Sequence, residues 1–199
     1  MRKIIAFDRV SADGYFSTLE GGLDWAVPDD ELDAAAAANL TGPGTLLFGR
    51  RTYEMFEAFW PTALDASPTS PDPHAEGRRS PAIRAMAIWI NAATKLVLSR
   101  TRKAVPWTNS RVLGALEPQE ITALKQQPGA PIMLFGSGTI ASQLTAHGLI
   151  DEYHFVVSPI LLGDGRSLLG DVGARVRLQL IEARPTAAGN VTLRYARCA

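Results

Sequence analysis

Ile132-Met133-Leu134-Phe135-Gly136-Ser137-Gly138-Thr139 decides the fold class of this chain. Four apolar residues run into a glycine turn, and helical periodicity begins immediately after it, so the stretch reads as buried strand, tight turn, helix. Thr45-Leu46-Leu47-Phe48-Gly49-Arg50-Arg51-Thr52-Tyr53 repeats the layout with two arginines in place of the second glycine. Such a junction aims free backbone N–H groups and the positive end of a helix dipole at one point, where an anion gains most. Two such cradles suit a ligand with several phosphates, which points to a dinucleotide.

Outward from these junctions the pattern continues. Lys3–Val10 reads as a first strand, and Pro28-Asp29-Asp30 as a helix start running through Ala34–Ala38 to a stop near Thr41-Gly42-Pro43-Gly44. A second helix carries Tyr53, Phe56 and Trp60 on one face, and Ile83–Ile90 resumes as helix. Lys95–Ser99 and Val112-Leu113 are strands, followed by a helix over Pro118–Gln126. Glu152–Ser158, Val176–Arg184 and Val191–Ala196 are the last strands, the final two joined at a Gly189-Asn190 turn. Alternating strands and helices predict an α/β fold in three layers, a mostly parallel central sheet with helices on both faces and an antiparallel C-terminal edge. Residues 1–199 make one domain, interrupted at 61–81 by a proline-rich surface loop, either a lid or an idle insertion.

Composition narrows the partners. Twenty basic and twenty acidic residues leave no net charge, so nothing electrostatic points to nucleic acid or an acidic membrane. The single cysteine, Cys198, excludes a disulfide framework and a thiolate metal site. No apolar stretch reaches the ~20 residues of a membrane span, and the opening Met1–Phe7 is too short for a signal peptide. The reading is a soluble cytoplasmic protein acting on a small molecule. His74, His147 and His154 lie too far apart along the chain to suggest a metal site; His147, before Gly148, reads as a helix end.

Gly136-Ser137-Gly138-Thr139-Ile140-Ala141 fits the G-x-G-x-x-A dinucleotide pattern, but the next strand ends in Val156-Val157-Ser158-Pro159 without the carboxylate a Rossmann site places on ribose. A phosphate-binding helix end in another α/β arrangement is the reading; a turn that serves packing alone is the alternative. Arg50 and Arg51 on the first turn of a helix oppose its dipole unless an anion sits there. Ser99-Arg100-Thr101-Arg102-Lys103 adds a third cluster after a strand. With Arg50, it favours a phosphorylated ribose and hence NADP over NAD.

The ordered set Ser11-Ala12-Asp13-Gly14-Tyr15, Gly49–Glu54, Val97–Thr101, Gly136–Gly138, Gly148–Tyr153 and Leu162-Gly163-Asp164-Gly165 resembles the dihydrofolate-reductase-like proteins related to the reductase domain of bacterial riboflavin biosynthesis. The resemblance implies a dihydrofolate reductase-like fold and NADPH-dependent hydride transfer. It places Gly49, Arg50, Arg51 and Thr52 on the cofactor's phosphates, and Ser99 and Arg100 by the adenosine 2′-phosphate. Gly136, Ser137, Gly138 and Thr139 fall on the pyrophosphate, with Ser11 and Asp13 near the nicotinamide. Relatives are commonly homodimers. The zinc deaminase that accompanies this reductase in bifunctional relatives needs Cys-x-x-Cys, which one cysteine cannot supply.

On the substrate side, the carboxylate that grips the ring in dihydrofolate reductases maps to Asp33 counting back from Gly49 and to Asp30 counting forward from Trp25. The Ala34–Ala38 run offers no bulky apolar wall. Asp13, Asp30 and Asp33 are therefore the candidate catalytic residues of a reductase acting on a pterin- or pyrimidine-like heterocycle. A catalytically silent nucleotide-binding module of the same fold, or a flavin-binding protein, satisfies the same phosphate logic.

Overall fold

The computed structural model describes residues 1–40, 42–65, 80–170 and 172–198. Most of the 61–81 loop expectation, with His74, lies outside them.

Chain order begins β1 (Ile4–Ser11), β2 (Tyr15–Ser17), α1 (Asp30–Ala38), β3 (Thr45–Gly49) and α2 (Arg50–Phe59), which tightens into a 3₁₀ turn over Trp60–Thr62. There follow α3 (Pro81–Ala92), β4 (Thr94–Leu98), β5 (Ser110–Gly114), α4 (Pro118–Gln126), β6 (Ile132–Phe135) and α5 (Gly138–Ala146). The chain closes with β7 (Glu152–Ser158), β8 (Arg166–Ser167), β9 (Leu178–Pro185) and β10 (Val191–Arg197). Eight strands form one sheet in the order β5-β4-β3-β6-β1-β7-β10-β9. All pairs from β5 to β7 are parallel, while β10 is antiparallel to both β7 and β9. The antiparallel edge is where the expectation put it, because two strands with no helix between them can only hairpin. The small β2–β8 ribbon was not foreseen; strands of three and two residues leave no periodicity to read.

Alternation along the strands divides the core in two. Leu46, Phe48 and Val97 face Tyr53, Phe59, Ile83, Ala87 and Ile90 of α2 and α3, whereas Leu47, Leu96, Ile4 and Ala6 face Ile121, Leu124, Ala141 and Leu144 of α4 and α5. Each run of consecutive apolar residues, such as the wholly buried β3, thus serves both faces at once.

α1 is held differently. Asp29 caps it, accepting the N–H groups of Glu31 and Leu32 at 3.0 and 3.2 Å. The second carboxylate oxygen takes bonds from Thr186 and Asn190, and Asn190 in turn accepts from Ser158 at 2.9 Å. This buried polar knot ties the start of α1 to the β9–β10 hairpin. No α1 side chain is fully buried; the helix packs on α3 and its lower face borders a cavity.

Candidate functional site

The sheet order locates the site. From β3 the chain leaves through α2 toward β4, and from its neighbour β6 it leaves through α5 toward β7 on the other side. Adjacent parallel strands whose connections diverge open a crevice at their C-terminal ends. Both glycine junctions found in the sequence sit at this point.

They are joined by one side chain. Ser137 Oγ accepts the Gly49 N–H at 2.8 Å and donates to Thr52 Oγ1 at 2.9 Å, so the two turns are stitched into one surface. A hydroxyl that accepts from Ser137 keeps its own proton, leaving Thr52 able to donate to an oxygen of a ligand. Ser137 adopts φ +65° to make this reach, and Gly136 turns at φ +53°. At Gly138 a Cβ would stand 3.0 Å from the Phe16 ring and 3.2 Å from the Leu168 carbonyl oxygen, so backbone alone fits there. Neither Gly49 nor Ser137 caps its helix with a side chain. The first N–H groups of α2 and α5 therefore stay available, as a pyrophosphate requires.

Arginine placement refines the expectation. Arg50 and Arg51 both line the cleft. Arg50 is engaged by Glu54 one turn on, at 2.8 Å, with both side chains near 40 % exposed. Arg51 makes no hydrogen bond or ion pair with the described residues. Ser99 and Arg100 do not line the cleft: Ser99 Oγ accepts the N–H groups of Thr101 and Arg102, closing the loop after β4. Arg102 ties that loop to α2 through Glu57 at 2.6 Å and Glu54 at 3.3 Å, lying over the Tyr53 ring. Glu54 thereby connects the Arg50 and Arg102 clusters.

The cleft continues from the stitched turns under α1, with a volume of about 1170 Å³. That is above the ~300–1,000 Å³ common for single small ligands and leaves room for two. Its apolar wall comes from Ile5, Phe7, Phe56, Trp89, Met133 and Phe135, so the bulk missing from Ala34–Ala38 is supplied by the sheet, α2 and α3. Of the two α1 candidates, Asp33 borders the cleft, and Asp30, exposed on the first turn, does not.

Ser11 and Asp13 also fall outside the lining. Asp13 accepts Ser11 Oγ at 2.6 Å and the N–H groups of Gly163 and Leu162 at 2.8 and 3.2 Å. The Ser11 bond, then that of Gly163, hold its carboxyl below the usual range, so Asp13 is a carboxylate pinning two loops together and has no proton to give at neutral pH.

Three cleft residues escaped the sequence reading. Arg9 donates to the Val27 carbonyl at 3.1 Å; burial lowers its pKa, opposed by Asp33 and Asp29. His154 borders the cleft with Nε2 3.0 Å from Glu152 and is pushed down mainly by burial, so its neutral form prevails. Asp8 is 3 % exposed and its Oδ2 has no partner among the described residues. For Arg9 and His154 the signal was the two-residue alternation of β1 and β7, which sets 5, 7, 9 and 154 on one face. Among the described residues no cluster of metal-ligating side chains occurs, and no helix is long and apolar enough to cross a membrane.

NADPH fits this donor set: uncapped helix ends and the Ser137–Thr52 stitch for its pyrophosphate, and Arg50 and Arg51 for further anionic oxygen. Comparison with known proteins gives the family and the fold. The family model described as the RibD C-terminal domain matches residues 2–192. YyaP, an uncharacterized protein of Bacillus subtilis strain 168, is 26 % identical over 98 % of this chain and 94 % of its own. A provisionally named riboflavin biosynthesis protein from Shewanella sp. PV-4 superposes with a TM-score of 0.69 at 22 % identity, over 99 % of both chains. Dihydrofolate reductase from Enterococcus faecalis, solved with NADP(H), superposes at 0.63 and 15 % identity, over 99 % of this chain and 97 % of its own. The fold is dihydrofolate reductase-like.

Proposed function

The chain belongs to the RibD C-terminal domain family, and on that membership we propose that it is an NADPH-dependent reductase of a small pterin- or pyrimidine-like heterocycle. The observation that carries the reading is the pair of uncapped helix tips laced together by Ser137, which presents one continuous anion-binding surface at the switch point of the sheet. When bound, the coenzyme supplies the hydride. The protein's share is alignment and electrostatics.

Each group has a distinct task in this reading. The α2 and α5 N–H groups, the Thr52 hydroxyl and Arg51 hold phosphate oxygens, and Arg50 does so from its pairing with Glu54. Phe7, Phe56 and Phe135 exclude water from one wall of the substrate end. Asp33, the candidate carboxylate that borders the cleft, grips ring N–H groups of a planar heterocycle, and Arg9, whose charge Asp33 favours, offers its remaining N–H donors to a ring oxygen. Asp13 orders the loop around Ser11.

The test is a titration followed by a substrate panel. NADPH binding in the micromolar range or tighter, with NADH weaker, and loss of the reduced nicotinamide absorbance with a pterin, pyrimidine, flavin or quinone, support the reading. Tight NADPH binding without oxidation across the panel makes the protein a nucleotide-binding module. A yellow protein as purified makes it a flavin carrier. No binding of either coenzyme at millimolar concentration refutes the proposal.

A further inference from the structure

Asp8 costs the fold stability that no contact among the described residues returns. It stands in the middle of the sheet on β1, one residue past the Phe7–Phe135 pairing and therefore level with the Gly136 turn, whose N–H reaches the Phe7 carbonyl at 3.4 Å. Its side chain points to the α5 face: Ala6, two residues earlier, packs in the α4–α5 core, and Asp8 pairs in register with Phe155 just as Ala6 does with Tyr153, which bonds Thr145 of α5. The cleft enters on this face as well, where Phe16, Gly138, Ser142 and Asp8 line it. A core position between Ala6 and Phe155 suits an aliphatic side chain, and a carboxyl there with one oxygen unpaired is unfavourable by ~1–3 kcal/mol.

We propose that Asp8 is a ligand-binding residue, a neutral carboxyl that pairs with the carboxamide of the nicotinamide ring and fixes that ring beside the Gly136–Gly138 turn. The proposal rests on the NADPH reading above. A protonated carboxyl presents one O–H donor and one carbonyl acceptor side by side, and a primary amide presents the complementary acceptor and donor. The two meet through a matched pair of hydrogen bonds. Neutrality is favoured by the surroundings: burial drives the Asp8 carboxyl well above the usual carboxylate range, and among the described residues no charged neighbour opposes it. Carboxylate chemistry would suit a cation; a buried acid with a free oxygen suits an amide.

Two variants and two ligands test this. NADPH and 2′,5′-ADP, which keeps the phosphate end and lacks the nicotinamide, are titrated into wild type, Asp8→Asn and Asp8→Leu. Asp8→Asn keeps a donor and an acceptor and should hold NADPH within about threefold of wild type. Asp8→Leu removes both; it should melt higher than wild type yet bind NADPH about tenfold more weakly or worse, with 2′,5′-ADP unchanged. Equal NADPH affinity in Asp8→Leu, or equal losses for both ligands, overturns the assignment while leaving the coenzyme reading intact. Wild type that binds neither ligand overturns the coenzyme reading and this one with it. The 3-acetylpyridine analogue of NADPH, which lacks the amide N–H, gives the same answer on wild type alone: it should bind about fivefold more weakly or worse, and equal affinity refutes the pairing.

Discussion

Ser137→Ala removes one oxygen and separates the two halves of the candidate coenzyme site. That oxygen satisfies the N–H of Gly49, which is buried, and donates to Thr52. Leaving a buried N–H unpaired costs ~1–3 kcal/mol, and losing the neutral hydroxyl pair adds ~0.5–1.5 kcal/mol. The sum, roughly 2–4 kcal/mol, corresponds to a melting temperature lower by about 4–16 °C in a chain of this length. Alanine keeps the Cβ and so inherits the strain of φ +65°. Ser137→Gly loses the same hydrogen bonds but relieves ~1–2 kcal/mol of left-handed backbone strain, and should melt between wild type and Ser137→Ala. Both variants should weaken NADPH, because the α2 and α5 tips no longer share a fixed spacing. The assay is a thermal melt with and without NADPH, with Thr52→Val completing a double-mutant cycle whose coupling should be about 1 kcal/mol. If Ser137→Ala melts within a degree or so of wild type and binds NADPH equally well, the two turns are not mechanically linked.

Three further outcomes follow from the same structure. Arg51→Ala should weaken NADPH by ~1.5–3 kcal/mol without changing the melting temperature, since Arg51 has no described partner to lose; an unchanged dissociation constant removes it from the site. Lys95 is buried, donating to the carbonyls of Asn91, Ala93 and Thr108 at 2.8–3.0 Å beneath the Trp107 ring, and burial lowers its pKa to about 8 from 10.5. Lys95→Met should cost ~2–3 kcal/mol at neutral pH. Because the unfolded chain holds that proton up to about pH 10.5 and the folded one releases it near 8, the wild-type advantage should grow as pH rises through that window; a flat difference contradicts this. At Asp29, desolvation raises the pKa but is outweighed by bonds from Thr186, Asn190 and the α1 N–H groups, leaving it below 3.8. Its stabilisation is complete above that value and lost as pH falls through the lowered pKa, so Asp29→Asn should show a shallower acid-unfolding curve.

How far the sequence carried depends on the kind of signal. β6 and α4 came out with the observed ends, because a four-residue apolar run between turn residues and a proline-led periodic stretch each admit one reading. The two glycine junctions were visible because an apolar run that ends in glycine and opens into helical periodicity marks a strand–helix turn. Their adjacency was not visible: it depends on β6 inserting beside β3, which pairs Thr45 with Ile132 and which no local pattern encodes. The cleft floor was missed for a related reason. Ile5, Phe7, Arg9 and His154 face it through strand alternation, yet a continuous apolar run in a parallel sheet does not mark which face is open. Asp13 drew attention as a carboxylate in a recognisable loop, where its hydrogen bonds show a pinning role. Asp8 drew none, although an acid in an apolar run is the more unusual residue.

α1 behaves like a beam resting on its ends. Its N-terminus is fastened to the β9–β10 hairpin, its flank leans on α3, and its underside carries no fully buried side chain. Residues 32, 35 and 36 can therefore change size with little effect on whether the protein folds, and each change redraws the ceiling of the chamber below. A scaffold of this kind lets the shape of the chamber change while the joined glycine turns at its other end are left alone, so a similar sheet does not dictate a single chamber.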